Sequence, residues 1–572
     1  MKHSFMFDFV VQRCCTNIEV GMKRCFMFDF VVQPSCTNIE VMMESRYAIS
    51  LILHAHLPFI REFNGANDLD HAAEEAWFFE ALSETYIPLL QVFDRLENNR
   101  IPFRLGLAIS PLLCQMFGDE LLLKKYLAYT DKQIEFGKQE MERTADMGSM
   151  HKLAKLYFDR IVDQRIVFAE RYECNLLKVI DFYRRKGKIE ILAGPATHAF
   201  LPFHNSPEAI QAQIESAIPY YRQHFGSCPY GFWLPELGWS AAVEPYLRAY
   251  NFGYTIIDTH GLIYGNPAPL NGSFSPVKTP GGIFVYGRDF YASRDIELIS
   301  ADEVYRDNNR DAGYELPFED ISPFLNKEGE RRVTGYKYWR YSENAVYDPD
   351  IAAKKTAEYA GAFLENCRKR LSEAAGHMSG IPVSLCAYNA DSFGRFWYEG
   401  MQFIEELFRQ AASCCQDCCE LQFITPSEYL YKQDFSALQT SAPEFSSWGF
   451  NGYAETWLDA SNDWIYRHLF RSIERMIELA ERFPDDSGLK ERALNQAARE
   501  ILLAQCSDWP KKLYKQDYAG YARNKIESSL RNFTTIYEAL GSNYISTEWL
   551  TNLERRHNVF PNINYRVFRR KK

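Results

Sequence analysis

The chain has no surplus of positive charge. Its 572 residues carry a formal net charge of −11, and a nucleic-acid surface needs clustered Lys and Arg to neutralise phosphates. The short basic run Arg569–Lys572 reads as a solvated end. No apolar run reaches the length of a membrane-crossing helix, so no membrane partner is expected. The first apolar run is not followed by a glycine-rich phosphate loop, which argues against a dinucleotide fold. Nor do the 14 cysteines show the dense spacing of a secreted disulfide scaffold. One cluster, Cys414, Cys415, Cys418 and Cys419, follows a helical pattern at Phe403–Ala412 without a second ligand pair or a nearby His. Free thiols in a reducing cytosol are expected there, with zinc as the alternative.

What is present describes a large globular protein. Hydrophobic residues make up 47% and charged residues 24% of the chain, enough for an extended core. Aromatics are abundant at 15%, which fits either core filling or rings that stack on sugar faces. Phe5–Val20 nearly repeats as Phe26–Val41. A two-copy repeat this short makes no solenoid, and it lacks the features of a signal peptide. Residues 1–43 are expected to be a duplicated extension outside the fold.

From Tyr47 onward, apolar runs end in polar or special residues and alternate with helical segments. Tyr47–Leu53 leads to His54 and His56, Phe103–Ile109 to Ser110, and Ile189–Leu192 to Thr197 and His198. Tyr230–Leu234 leads to Glu236, Tyr254–Ile257 to Asp258 and His260, Ile283–Tyr286 to Arg288 and Asp289. Val383–Ala387 leads to Asn389 and Asp391, and Leu421–Ile424 to Thr425. Strand–helix alternation implies a parallel sheet, and chemistry-bearing residues at strand C-terminal ends favour a closed barrel over an open sheet. Residues 300–344 read as an insertion. Past about residue 435 the strand signals stop and helical patterns follow at Trp457–Arg482, Leu489–Cys506 and Tyr518–Leu540. The expected organisation is a barrel over 44–435 and an all-helical C-terminal domain over 436–572.

Glu236 stands out because Trp233, Leu234, Pro235, Leu237 and Trp239 surround it, a setting that suits a nucleophile or an acid/base. The competing reading is a helix-capping Glu. His54 and His56 are two apart and share a side of the chain. With Asp258, His260 and His198 they offer a distant metal set, but hydrogen-bonding histidines lining a polar pocket fit the spacing better. Arg288 reads as a substrate contact or as half of a structural salt bridge.

The segments HAHLPF (54–59), EILAGPATHAFLP (190–202), GFWLPELGWS (231–240), YNADSFGRFWYEG (388–400) and SSWGFNGYAETWLDASNDWIY (446–466) resemble, in order, the motifs of glycoside hydrolase family 57, nearest to its 1,4-α-glucan branching enzymes. The resemblance implies a (β/α)7 barrel with a helical C-terminal domain, a retaining mechanism without metal or cofactor, and an α-glucan partner. It implies Glu236 as nucleophile. His54, His56, His198 and Trp233 would line the sugar subsite, Arg288 would contact substrate, and Trp448 and Asp508 would reach over the cleft. Tyr453, Trp457 and Trp464 offer further aromatic walls or interdomain packing.

The chain departs from the family pattern at the second carboxylate. Asn389 stands at the acid/base Asp position, and an amide neither gives nor takes a proton at useful pH. Asp391 is the possible replacement, expected on the same strand face one pleat further along. Arg395 stands where branching enzymes carry His, and Ala301 where a substrate-contacting glycine is usual. Three activities follow as expectations: a branching transferase, a catalytically impaired glucan-binding relative, or an amylase or 4-α-glucanotransferase.

Overall fold

The apolar runs become strands Tyr47–Ala55 (β1), Leu105–Ile109 (β2), Ile189–Ala193 (β3), Gly231–Phe232 (β4), Tyr254–Ile257 (β5), Val277–Lys278 (β6), Phe284–Gly287 (β7), Val383–Asn389 (β8) and Leu421–Phe423 (β9). The computed structural model describes residues 46–65, 68–326, 329–341, 345–414, 420–433 and 435–571. The near-repeat in residues 1–43 and the cysteines at 415, 418 and 419 lie outside the described residues.

The sheet order is β6-β7-β5-β4-β3-β2-β1-β8, with β9 beside the start of β1. Every pairing is parallel except β6 with β7. Strand β1 is buried at every residue, as a central strand covered on both faces must be. The sheet curls until its ends meet, where the Asp289 N–H beyond β7 donates to the Leu385 carbonyl of β8 at 2.8 Å. The result is a distorted (β/α)7 barrel. Its interior is filled by Ile52, Ala108, Leu192, Trp233, Tyr254, Tyr286 and Leu385, among others. Gly106 of β2 is required by this filling, because a Cβ there would collide with the Ile52 side chain.

Helices flank the strands, and a helical C-terminal region follows at Trp464–Arg482, Leu489–Ala504, Asp508–Lys515 and Ala519–Gly541. The first starts seven residues later than the Trp457 expected from periodicity. Gly449, Asn451, Gly452 and Ala454 all have positive φ and turn the chain before the helix can begin. The insertion is held by specific contacts. Arg306 is fully buried, lies 3.8 Å over the Tyr398 ring and pairs with Glu84 at 3.3 Å. Asp311 accepts from the backbone N–H groups of Gly313, Thr334 and Gly335.

Candidate active site

The C-terminal ends of β1, β3, β4 and β8 converge on a cleft of about 700 Å3, closed on one side by the helical region and on another by the insertion. His54, His56, His198, Glu236, Asn389, Asp391, Trp448 and Asp508 all line it.

Glu236 is not at a strand end, as its sequence position suggested. Strand β4 stops at Phe232, Pro235 cannot donate to a ladder, and Glu236 sits in a 3₁₀ turn, Pro235–Leu237, with left-handed backbone (φ 58, ψ 21). A non-glycine residue there costs about 1–2 kcal/mol, and such strain gathers at functional sites. The Trp448 N–H holds the turn by donating to the Glu236 carbonyl at 2.9 Å. The carboxylate is 1% exposed and enclosed by donors. Trp448 Nε1–H donates to Oε2 at 2.5 Å, the Lys511 ammonium lies 3.2 Å from Oε2, and the Ser507 hydroxyl lies 3.4 Å from Oε1. His198 Nδ1 is 2.8 Å from that hydroxyl. With Ser507 donating onward to Glu236, His198 carries its proton on Nδ1, and its Nε2 is left buried without a partner. Burial works against the Lys511 charge, but Glu236 and Asp508 together raise its pKa, so the cation persists beside the carboxylate.

Beside Glu236, four rings form a stack. Trp233 lies on His54 (centroids 4.6 Å apart), His54 on His198 (4.9 Å) and His198 on His56 (3.7 Å). Burial, then the neighbouring His56, lowers His54 to about 3, and burial takes His198 well below its ordinary value. Both are neutral near pH 7 and stack without repulsion. His56 Nε2–H donates to Asp508 Oδ2 at 2.7 Å, while its Nδ1 meets Ser110 Oγ at 2.8 Å. Burial opposes ionisation of Asp508, yet His56 and Lys511 hold it well below the usual carboxylate range. The Cys506 thiol also donates to Asp508, at 3.0 Å. His56, Cys506 and Asp508 are thereby grouped as a possible metal set. They already satisfy one another through hydrogen bonds, the thiol is held protonated by burial, and Lys511 raises the local positive charge. This donor set does not fit a resident metal.

The second carboxyl lines the same cleft. Register pairs His54 of β1 with Asn389 of β8, and His54 Nδ1–H donates to Asn389 Oδ1 at 3.0 Å. The strand does not continue to residue 391 as expected. It ends at Asn389, and Ala390–Ser392 is a 3₁₀ turn, so the same-face argument for Asp391 fails. The turn nevertheless delivers Asp391 to the cleft, buried. Burial raises its pKa, with Arg395 and Tyr86 pulling the other way. Arg395 Nη1 is 3.4 Å from Asp391 Oδ2 and its Nε 3.4 Å from Glu80. Asp391 Oδ1 and the Tyr86 hydroxyl make no hydrogen bond of good geometry, although Tyr86 is near enough to lower the Asp391 pKa.

The remaining candidates lie further out. Arg288 pairs with Asp258 at 3.0 Å and sits 5.8 Å over the Trp448 ring, without lining the cleft. Ala301 is the exposed C-cap of helix Phe290–Ser300 and is not a cleft residue. Trp457 stacks on Phe200 in the core, Trp464 packs under Arg523, and Tyr453 is exposed against His260. Sequence reasoning passed over Lys511. Its spacing from Ser507, four residues and one helical turn, was the available signal.

Comparison with known proteins identifies the family. The glycosyl hydrolase family 57 profile matches residues 50–439, and the C-terminal profile of 1,4-alpha-glucan branching enzymes matches residues 468–568. A 1,4-alpha-glucan branching enzyme of Thermococcus kodakarensis is 25% identical over 90% of this chain and 77% of its own length. The crystal structure of the alpha-amylase AmyC of Thermotoga maritima superposes with a TM-score of 0.84 at 34% identity, over 92% of this chain and 100% of that one. A branching enzyme of this family from Pyrococcus horikoshii superposes with a TM-score of 0.82 at 22% identity, over 92% of this chain and 97% of that one. With the family profile covering the barrel that builds the cleft, the chain belongs to glycosyl hydrolase family 57.

Proposed function

We propose that the protein is a retaining 1,4-α-glucan branching enzyme, with Glu236 as nucleophile and Asp391 as acid/base. Glu236 attacks the anomeric carbon of an α-1,4-linked glucose while Asp391 gives its proton to the departing 4-oxygen, leaving a glycosyl ester on Glu236. The 6-hydroxyl of an acceptor glucose then attacks the same carbon, passes its proton to Asp391 and releases Glu236. Lys511, Trp448 and Ser507 favour the carboxylate each time Glu236 departs. The neutral histidines, backed by Trp233, which is buried beneath them and does not itself line the cleft, offer an uncharged floor for a sugar ring. The observation that carries the reading is Asp391. It is a cleft carboxyl whose pKa burial raises against the pull of Arg395 and Tyr86, the direction a proton donor needs.

Support for branching over hydrolysis comes from the C-terminal profile match, whereas the likeness to AmyC favours water as acceptor. The buried free thiols Cys114, Cys367, Cys386 and Cys506 suit a reducing cytosol, where a glycogen-like polymer would be the substrate. Among the described residues no helix is long and apolar enough to cross a membrane. A second reading, a glucan-binding relative with impaired turnover, draws on Asn389, the amide that faces His54 in the sugar pocket.

The two readings separate by mutation. Asp391→Asn should lose turnover on amylose as completely as Glu236→Gln, about a hundredfold or more. Retained turnover would remove Asp391 from the role. Asn389→Asp should change turnover by less than about tenfold, whereas a rise of about a hundredfold would make the native chain an impaired enzyme.

A further inference from the structure

Backbone strain extends beyond the reacting groups to the mouth of the cleft. Three cleft residues have left-handed backbone although none is glycine: His198 (φ 56), Glu236 (φ 58) and Tyr518 (φ 51). The first two form the site. Tyr518 occupies the N-cap position of helix Ala519–Gly541 and supplies no side-chain cap. Local structure alone would choose Asn, Asp, Ser or Gly at that position, both to cap the helix and to relieve the strain.

Tyr518 is instead 50% exposed, with its ring edge-on to Trp77 at 4.7 Å. The Lys512 ammonium lies 4.0 Å from the Trp77 ring and 5.2 Å from the Tyr518 ring. Tyr314 also lines the cleft and is half-exposed; its phenol is pushed up to about 12 by burial, with Asp311 and Tyr518 as charge neighbours. The three rings come from the first helix after β1, the insertion and the C-terminal region. Two of the cations beside them are already engaged. Lys512 pairs with Asp517 at 3.3 Å, and the Arg331 guanidinium donates to the carbonyls of Gly313, Tyr314 and Leu316. The mouth therefore offers aromatic surface with no unmatched cation among these groups, which suits an uncharged polyhydroxylated chain better than an anion.

We propose that Tyr518, backed by Trp77 and Tyr314, is a stacking subsite that holds a glucan chain several sugars away from the bond being broken. The proposal rests on reading the cleft as an α-glucan site. It accounts for a strained aromatic where a cap is expected.

The test is calorimetric binding of maltose and maltoheptaose to the full chain carrying Glu236→Gln, with and without Tyr518→Gly or Tyr518→Asn, two residues that accept left-handed backbone. Both variants should weaken maltoheptaose about three- to tenfold, leave maltose unchanged and keep the melting temperature, because relieved strain offsets the lost edge contact with Trp77. Tyr518→Trp should restore the long-chain affinity. Unchanged maltoheptaose affinity in either variant, or an equal loss for maltose, would overturn the subsite alone. If the protein with Tyr518 intact binds neither sugar, the reading of the cleft as a glucan site falls, and the subsite with it.

Discussion

Replacing Lys511 by Met should cost the folded protein about 3 kcal/mol at pH 7. The ammonium lies 3.2 Å from a Glu236 oxygen, a separation worth about 5 kcal/mol at an effective dielectric near 20. Part of that is offset. The Lys511 side chain is still 29% exposed and screened by water, and ordering and desolvating it has its own cost. The larger effect comes from what remains, since Glu236 is 2% exposed at its side chain and would keep a buried charge with only the Trp448 and Ser507 donors. Removing the carboxylate as well should recover most of the loss. The assay is a double-mutant cycle of Lys511→Met and Glu236→Gln by urea unfolding, followed by circular dichroism and tryptophan fluorescence together. The expected coupling is about 2–3 kcal/mol. A double mutant whose loss equals the sum of the single losses would refute the view that Lys511 sustains the Glu236 charge. The same pair sets an alkaline limit. Because the folded pKa of Lys511 is raised, its contribution is complete below the unfolded lysine value of about 10.4 and is lost as pH rises through the folded value.

Acid should destabilise the fold through histidines that are buried neutral. His54 and His71 are held near 3 and His204 near 4, each chiefly by burial. Below about pH 6.5 the unfolded chain takes up protons that the folded chain refuses, so each costs about 2 kcal/mol by pH 5. Urea midpoints that do not fall between pH 7 and pH 5 would contradict this. Gly394→Ala should destabilise by about 3 kcal/mol or more and silence the site. Gly394 has φ 107, and a Cβ there would overlap the Glu84 carbonyl oxygen, displacing the turn that carries Asp391 and Arg395. A thermal melt and a turnover assay read both effects, and a variant that melts and turns over like the native protein would refute them.

Most of the barrel was legible because its strands are continuous apolar runs whose ends are marked by polar residues, as in Tyr254–Ile257, which the structure reproduces residue for residue. Part of the cleft was legible for the same reason, since His54 and Asn389 sit where strands stop, whereas His198 lies five residues past the end of β3. Turn geometry was not. Glu236 and Asp391 both lie in 3₁₀ turns, where a period-two pattern no longer says which way a side chain points. Lys511 and Tyr518 were hidden for another reason. Each meets its partner across a long stretch of chain, Glu236 for one and Trp77 for the other, and the local signals are slight: the one-turn spacing from Ser507 for Lys511 and the missing helix cap for Tyr518.

Transfer of glucan chains through Glu236 is decided on amylose. Amylose incubated with the native protein and with Glu236→Gln should be assayed for reducing ends directly and for α-1,6 linkages after debranching. New branches that vanish in the variant, with few free reducing ends, are the predicted result. Reducing ends without branches would make the protein a hydrolase, and amylose bound but unchanged would contradict catalysis altogether.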